Sequence, residues 1–185
     1  VVERMARSLA CPLWVVRHAR RGHPPAEGIR RIMAACDLSP AAKPVLAAAA
    51  AMAGAVGARL RLVNAIEAPV NEEVVDPTTG PYEEVQQELE NRLHRRLEAF
   101  YSGTSVPGVP VDTAVLHGHP GEEIPRHARN WEADLIVVGV RRIGRVQRYL
   151  RGSTTEALLR SAPCSVLAVP EAAQASAAEG ERGRS

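Results

Sequence analysis

The sequence predicts an α/β domain built on an open parallel sheet of five strands, with helices on both faces. Three observations carry this prediction. Apolar segments of strand length alternate five times with helical segments, which is the pattern of a doubly wound parallel sheet. The run Leu135-Ile136-Val137-Val138 is apolar throughout, as expected for a strand covered on both faces. Candidate helix starts follow several of the strands, so the chain crosses over through helices.

Composition limits the classes of function. The 185 residues suit one domain of ordinary size, and 45% are hydrophobic but only 3% aromatic, so Ala, Val, Leu and Ile must form the core. The net charge of +2 is too small for general nucleic-acid binding. The three cysteines have no metal-binding spacing, and neither a signal peptide nor a membrane-spanning run is evident. We therefore expect a soluble cytoplasmic protein without a membrane partner.

The first segment of the chain repeats the last helix and strand. Residues 3–16 align with residues 156–169 at a constant offset of 153, matching Glu, Arg, Ser, Cys and the final Val. An internal repeat predicts that residues 1–28 are the closing helix and strand of a preceding copy, followed by a linker. Chance similarity between two short helix-to-strand pieces is the alternative. The complete domain is predicted over residues 29–170.

The first half of the domain reads as strand, helix and strand. Residues 31–36 form a short apolar strand, after which Ser39 can cap a helix and Pro40 suits its first turn. An alanine-rich helix is predicted over 41–55, and Pro44 requires it either to bend or to start near Lys43. A second strand follows over 59–65, and a long loop over 67–81.

The second half continues the alternation. Apolar residues about four apart predict a helix over 82–101, and a strand follows over 109–116. The next helix is predicted over 121–130, where Pro125 is tolerable only in the first turn. The strand from Leu135 is predicted to end at Gly139. A helix over 153–161, a fifth strand over 165–169 and a disordered tail over 171–185 complete the chain.

The loop after the fourth strand is suited to an anion. Between Val140 and Gly152 it contains no acid and five arginines: Arg141, Arg142, Arg145, Arg148 and Arg151. Ser153-Thr154-Thr155-Glu156 has the form of a capping box, which marks a helix start with unpaired backbone N–H groups. A phosphate would be stabilised there. The alternative is a solvated basic loop with glycines that only punctuate the strand and the helix.

Three motifs in this order resemble the universal stress protein family. They are Arg31-Ile32-Met33-Ala34-Ala35-Cys36-Asp37, Gly118-His119-Pro120-Gly121-Glu122-Glu123-Ile124, and Asp134 to Gly139 followed by Gly152-Ser153. The resemblance covers residues 31 to 170. It implies a Rossmann-like sheet in the strand order 3-2-1-4-5, reversing between the strands that end at Cys36 and Val138, which would place Asp37 and the arginine loop on one crevice.

The resemblance also implies site residues for ATP. Asp37 matches the acidic residue that accepts bonds from ribose hydroxyls, and Ala65 the position whose backbone meets adenine. Gly139, Gly152 and Ser153, with Thr154 beside them, match the phosphate loop. Ordinary structural roles remain open: Asp37 as a turn residue and Ser153 as an N-cap.

Arg142 departs from the family pattern, because it stands where the second glycine of the phosphate loop is expected. A Cβ there resists close approach of backbone N–H groups to phosphate. The guanidinium could instead bind phosphate bidentately, or it could fill the pocket.

These readings give two functions. The first is a stress-response-associated regulatory protein that binds ATP, with Mg²⁺ as an accompanying ion but no tightly bound metal. The second is a non-nucleotide-binding scaffold of the same family whose pocket is filled by Arg142. Both imply a homodimer through the last strand. No catalytic set is apparent, so we expect no enzyme beyond, at most, slow ATP hydrolysis.

Overall fold

The computed structural model describes residues 11–17, 28–67, 82–102, 108–140 and 154–171. The strands are β1 (Leu13–Val15), β2 (Arg31–Ala35), β3 (Arg59–Ile66), β4 (Val111–His117), β5 (Leu135–Val140) and β6 (Ser165–Pro170). The helices are α1 (Lys43–Val56), α2 (Tyr82–Ser102), α3 (Pro120–Asn130) and α4 (Thr154–Ser161), and a short 3-10 helix (Pro40–Ala42) leads into α1.

All six strands form one sheet in the order β1-β6-β5-β2-β3-β4. The five predicted strands are β2 to β6, and they are parallel to their neighbours in the predicted order 3-2-1-4-5. The α/β class and the topology are thus confirmed. The register sets Ala35 of β2 between Val63 of β3 and Val138 of β5, so β2 and β5 lie at the centre of the sheet.

The sheet is buried on both faces. One core cluster joins the alanine-rich α1 to the sheet, with Ala49 and Ala50 completely buried against residues such as Leu60 and Leu62. The other lies under α3 and α4, where Ile124 and Leu158 pack with Ile136. Alanine allows α1 to approach the sheet closely, which explains how a core almost without aromatic side chains is filled.

The sixth strand, β1, was not predicted as part of this sheet. It pairs antiparallel with the outer edge of β6, with Leu13 opposite Ala168 and Val15 opposite Val166. An open strand edge presents unpaired backbone groups, and β1 satisfies those of β6. A homodimer through the last strand, as the sequence suggests, would therefore require β1 to leave this edge.

Several local predictions need correction. Gly139 does not end β5, because Gly139 and Val140 still pair with Val169 and Pro170. The side chain of Ser39 makes no capping bond. Pro125 lies beyond the first turn of α3 and is buried there, so the helix omits one backbone bond in exchange for apolar packing.

Of the two effects predicted for Pro44, a bend in the helix or a later helix start, the structure shows the later start, because α1 begins at Lys43. The repeat helix near residues 3–9, the linker over 18–27 and the tail from 172 onward lie outside the described residues. Within the described segments, no helix has the length and apolar character needed to cross a membrane.

Candidate functional site

The candidate site lies where the strand order reverses, at the carboxyl ends of β2 and β5. From β2 the chain proceeds outward through β3 and β4, whereas β5 and β6 lie on the other side. Ala35 pairs with Val138, so Cys36 and Asp37 leave β2 at the edge of the sheet towards which β5 continues through Gly139 and Val140. Ligands of open α/β sheets bind in this crevice. Asp37 and the end of β5 are thus at the same edge of the sheet, and the predicted arginine loop that follows β5 lies outside the described residues.

Asp37 is exposed and forms a tight turn immediately after β2. Its Oδ1 accepts a hydrogen bond from the backbone N–H of Ser39 at 2.9 Å. Leu38 between them has φ of 60°, the left-handed conformation that an Asx turn accommodates. One carboxylate oxygen therefore shapes the turn, so the structural role that the sequence left open is present. This role is compatible with the other oxygen accepting a bond from a ligand hydroxyl.

Asn64 fixes the backbone from which Asp37 projects. Its Nδ2 donates to the carbonyl of Cys36 at 2.8 Å, and the N–H of Cys36 donates to the carbonyl of Val63 at 3.0 Å. Asn64 is only 8% exposed, and a buried amide is retained only when its hydrogen bonds are made. Sequence reasoning missed this residue, although an asparagine inside the apolar run Leu62-Val63-Asn64-Ala65 was a readable signal.

Gly139 is tied to the first turn of α4. The hydroxyl of Thr155 donates to the carbonyl of Gly139 at 2.7 Å. This bond holds the start of α4, including the predicted site residue Thr154, against the end of β5. Thr155 was recognised only as part of a capping box, so its contact with the end of β5 is an addition to the predicted site.

Glu171 is the main unpredicted feature. Its backbone N–H donates to the carbonyl of Val140 at 3.0 Å, which extends the pairing of β6 with β5 by one residue. Its carboxylate lies over the Cα of Gly139, so that a Cβ at position 139 would collide with it. The absence of a Cβ at position 139 therefore lets the flexible Glu171 side chain lie here, and a larger residue would make that side chain move. The sequence had placed Glu171 in the tail.

The two carboxylates act on the same thiol. Burial, with smaller contributions from the negative charges of Asp37 and Glu171, raises the pKa of Cys36 to about 12. Cys36 therefore stays a protonated thiol and has no nucleophilic role. The effect also shows that both carboxylates lie near the end of β2, which makes the described part of the crevice acidic.

The remaining predicted residues are divided between described and undescribed segments. Ala65 is half-buried near the carboxyl end of β3, beside Leu116 of β4. Arg142, Gly152 and Ser153 lie outside the described residues. The structure thus brings Asp37, Ala65, Gly139 and Thr154 to one end of the sheet. Among the described residues, no group of three His, Cys, Asp or Glu side chains is arranged to hold a metal ion.

Comparison with known proteins agrees with this fold. The sequence model of the universal stress protein family matches residues 28–170. The chain is 38% identical over 141 residues to a universal stress protein of Thermus aquaticus, which covers 76% of this chain and 98% of that relative.

Solved structures give two kinds of match. A member of the family from Burkholderia pseudomallei has a TM-score of 0.53 at 27% identity and covers 77% of this chain and 96% of its own. A protein of unknown function from Pseudomonas aeruginosa has a TM-score of 0.62 at 19% identity and covers 92% of this chain but only 56% of its own. Residues 28–185 are about 85% of the chain, so the longer match must include part of the segment before residue 28.

Proposed function

Because the chain belongs to the universal stress protein family, we propose that it is a stress-response-associated regulatory protein that binds ATP in the crevice between β2 and β5. One observation carries the proposal: Asp37 and Gly139 flank the point of strand reversal at the same edge of the sheet. An acidic residue on one lip and a glycine beside a helix start on the other are the two halves of a nucleotide site.

Each predicted residue would have a distinct role. Asp37 would accept hydrogen bonds from the ribose hydroxyls, and the backbone of Ala65 would meet the adenine. Gly139, Gly152, Ser153 and Thr154 would surround the phosphates, with Arg142 adding a bidentate contact. Asp37 and Glu171 carry carboxylate oxygens, the kind of ligand that Mg²⁺ prefers. Two carboxylates do not make a complete coordination shell, so Mg²⁺ would arrive bound to the nucleotide.

The role is proposed to be regulatory rather than catalytic. The Cys36 thiol is protonated, so it supplies no base, and any hydrolysis of ATP would be slow. A reducing cytoplasm suits the three free thiols of Cys11, Cys36 and Cys164. Nucleic acid is not expected as a partner, since the net charge is only +2.

The second candidate is a scaffold that binds no nucleotide, with the pocket filled by Arg142. The position of Glu171 favours it, because a carboxylate over Gly139 opposes a phosphate by like charge. In that case the protein would act through contacts with other proteins, as a homodimeric member of the same family.

Isothermal titration with MgATP tests the proposal. Asp37→Asn removes the charge from the ribose lip and should weaken binding about tenfold, the effect of a charge-assisted hydrogen bond of about 1.5 kcal/mol. The matched control is Glu98→Gln, the same loss of charge on an exposed side chain of α2 at the opposite end of the sheet. Equal effects of both variants would contradict the role of Asp37.

Arg142→Gly separates the two candidates. If the wild-type chain releases no heat with MgATP and Arg142→Gly binds it, the scaffold with a filled pocket is correct. If the wild type binds and Arg142→Gly binds more weakly, the guanidinium is a phosphate ligand. If neither binds, the nucleotide proposal is wrong.

A further inference from the structure

Gly139 leaves a space on the face of the sheet that α1 covers. Val137, two residues earlier in β5, belongs to the core cluster that joins α1 to the sheet. Val169, which lies opposite Gly139 in β6, belongs to the same cluster. Because side chains alternate along a strand, a side chain at position 139 would point to this face too. The glycine therefore leaves one position of the row empty at the carboxyl end of β5.

The side chain of Glu171 occupies this space. Its Cγ and Cδ lie 2.8 and 2.9 Å from the point where a Cβ of residue 139 would stand. The hydrogen bond from its N–H to the carbonyl of Val140, at 3.0 Å, fixes the backbone from which the side chain extends. Its negative charge also contributes to the raised pKa of Cys36, at the end of β2. The carboxylate thus extends from β6 over β5 towards β2, and the crevice opens between β5 and β2.

A phosphate group at the end of β5 would compete with this carboxylate. Both groups are anions, so they repel each other strongly at short range where water is excluded. Both would also need the volume beside Gly139, which the carboxylate already fills. A nucleoside has no phosphate and would meet neither obstacle.

We infer that Glu171 is an internal stopper of the crevice, whose carboxylate must swing away from Gly139 before the phosphates of a nucleotide can bind. The inference rests on the proposed function and concerns the regulation of that same site. The stopper lowers the affinity for a nucleotide by the fraction of time that the side chain spends outside the space. It acts on the phosphates alone, so it sets how strongly the site distinguishes a nucleotide from its nucleoside.

Titration of the full chain with adenosine, AMP and ATP, in the presence of Mg²⁺, tests the inference. Glu171→Ala removes the charge and the volume of the stopper and should bind ATP about tenfold more tightly, which corresponds to a side chain that is out of the way about a tenth of the time. The gain should be smaller for AMP, and adenosine should bind the variant and the wild type equally.

Two further variants show whether the effect is local. Glu171→Asp keeps the charge but ends one methylene short of the space beside Gly139, so it should recover part of the gain for ATP. Glu98→Ala is the matched control, because Glu98 is an exposed residue of α2 that lines a groove at the opposite end of the sheet. It should bind all three ligands like the wild type.

The outcomes separate this inference from the proposed function. If the wild type binds ATP and Glu171→Ala binds it equally or more weakly, the stopper is wrong while the nucleotide site stands. An equal gain for adenosine and ATP would also overturn the stopper, because it would act on the nucleoside. If neither the wild type nor Glu171→Ala binds any of the three ligands, the proposed function fails and this inference fails with it.

Discussion

The two ends of the central sheet use the same residue types in different ways, and Asp134 and Asp37 show the difference. Asp134 precedes β5 at the amino end, where its Oδ2 accepts bonds from the N–H groups of Arg30 and Arg31 at 2.8 and 2.9 Å. Asp37 follows β2 at the carboxyl end and bonds the N–H of Ser39 in its own turn. One carboxylate joins distant segments, whereas the other shapes a local turn and remains exposed.

A second cluster at the amino end also joins distant segments through charged side chains. Arg61 forms a bidentate pair with Asp112, at 2.8 and 2.6 Å, and its Cζ lies 4.6 Å from the ring centre of Trp131. Its Nη1 lies 3.2 Å from Nε2 of His127. These charges join β3, β4 and α3 to one another. The polar groups at the amino end thus stabilise the fold by joining its elements. The exposed carboxylate of Asp37 at the carboxyl end lies at the crevice.

The largest expected effect tests the contrast between Asp134 and Asp37 directly. Asp134→Ala removes the acceptor of two backbone N–H groups and should lower the free energy of unfolding by about 2 kcal/mol. Asp37→Ala removes a local turn contact at an exposed site and should cost about 0.5 kcal/mol. Denaturant unfolding of both variants measures the difference. Equal losses would show that the turn at Asp37 is as structural as the contact at Asp134.

Sequence reasoning predicted what repeats along the chain. The continuous apolar run of β5 and the alternation of strands and helices determine which segments are buried, so the five parallel strands could be located. The same reasoning could not find Asn64 or Glu171, because each acts through contacts with segments remote in sequence. The end of β5 was placed too early since glycine was treated as a stop, although the pairing of Gly139 with Val169 continues the strand.

A smaller effect, on nucleotide affinity, is expected from a substitution of Glu171 at the carboxyl end of the sheet. Glu171→Gln removes a negative charge beside Gly139 and keeps the shape of the side chain, so MgATP should bind about fivefold more tightly, or about 1 kcal/mol. Titration calorimetry measures the gain against Glu132→Gln, the same change near the amino end. Unchanged affinity, with wild-type binding intact, would show that the carboxylate lies away from the phosphates.

The smallest effect is a dependence of stability on pH at the amino end, and it comes from His127. Burial first, then the nearby charges of Arg61 and Arg126, lower the pKa of His127, whereas Asp112 and Glu123 act in the opposite direction. In the unfolded chain the pKa returns to about 6.5. As pH falls below that value the unfolded state binds the proton more readily, so the folded state loses stability.

His127→Gln can still accept the bond from Arg61, and the variant should lose less stability than the wild type on acidification from about pH 7 to about pH 5. Parallel stability curves for the two proteins, measured by denaturant unfolding across this range, would contradict the assignment.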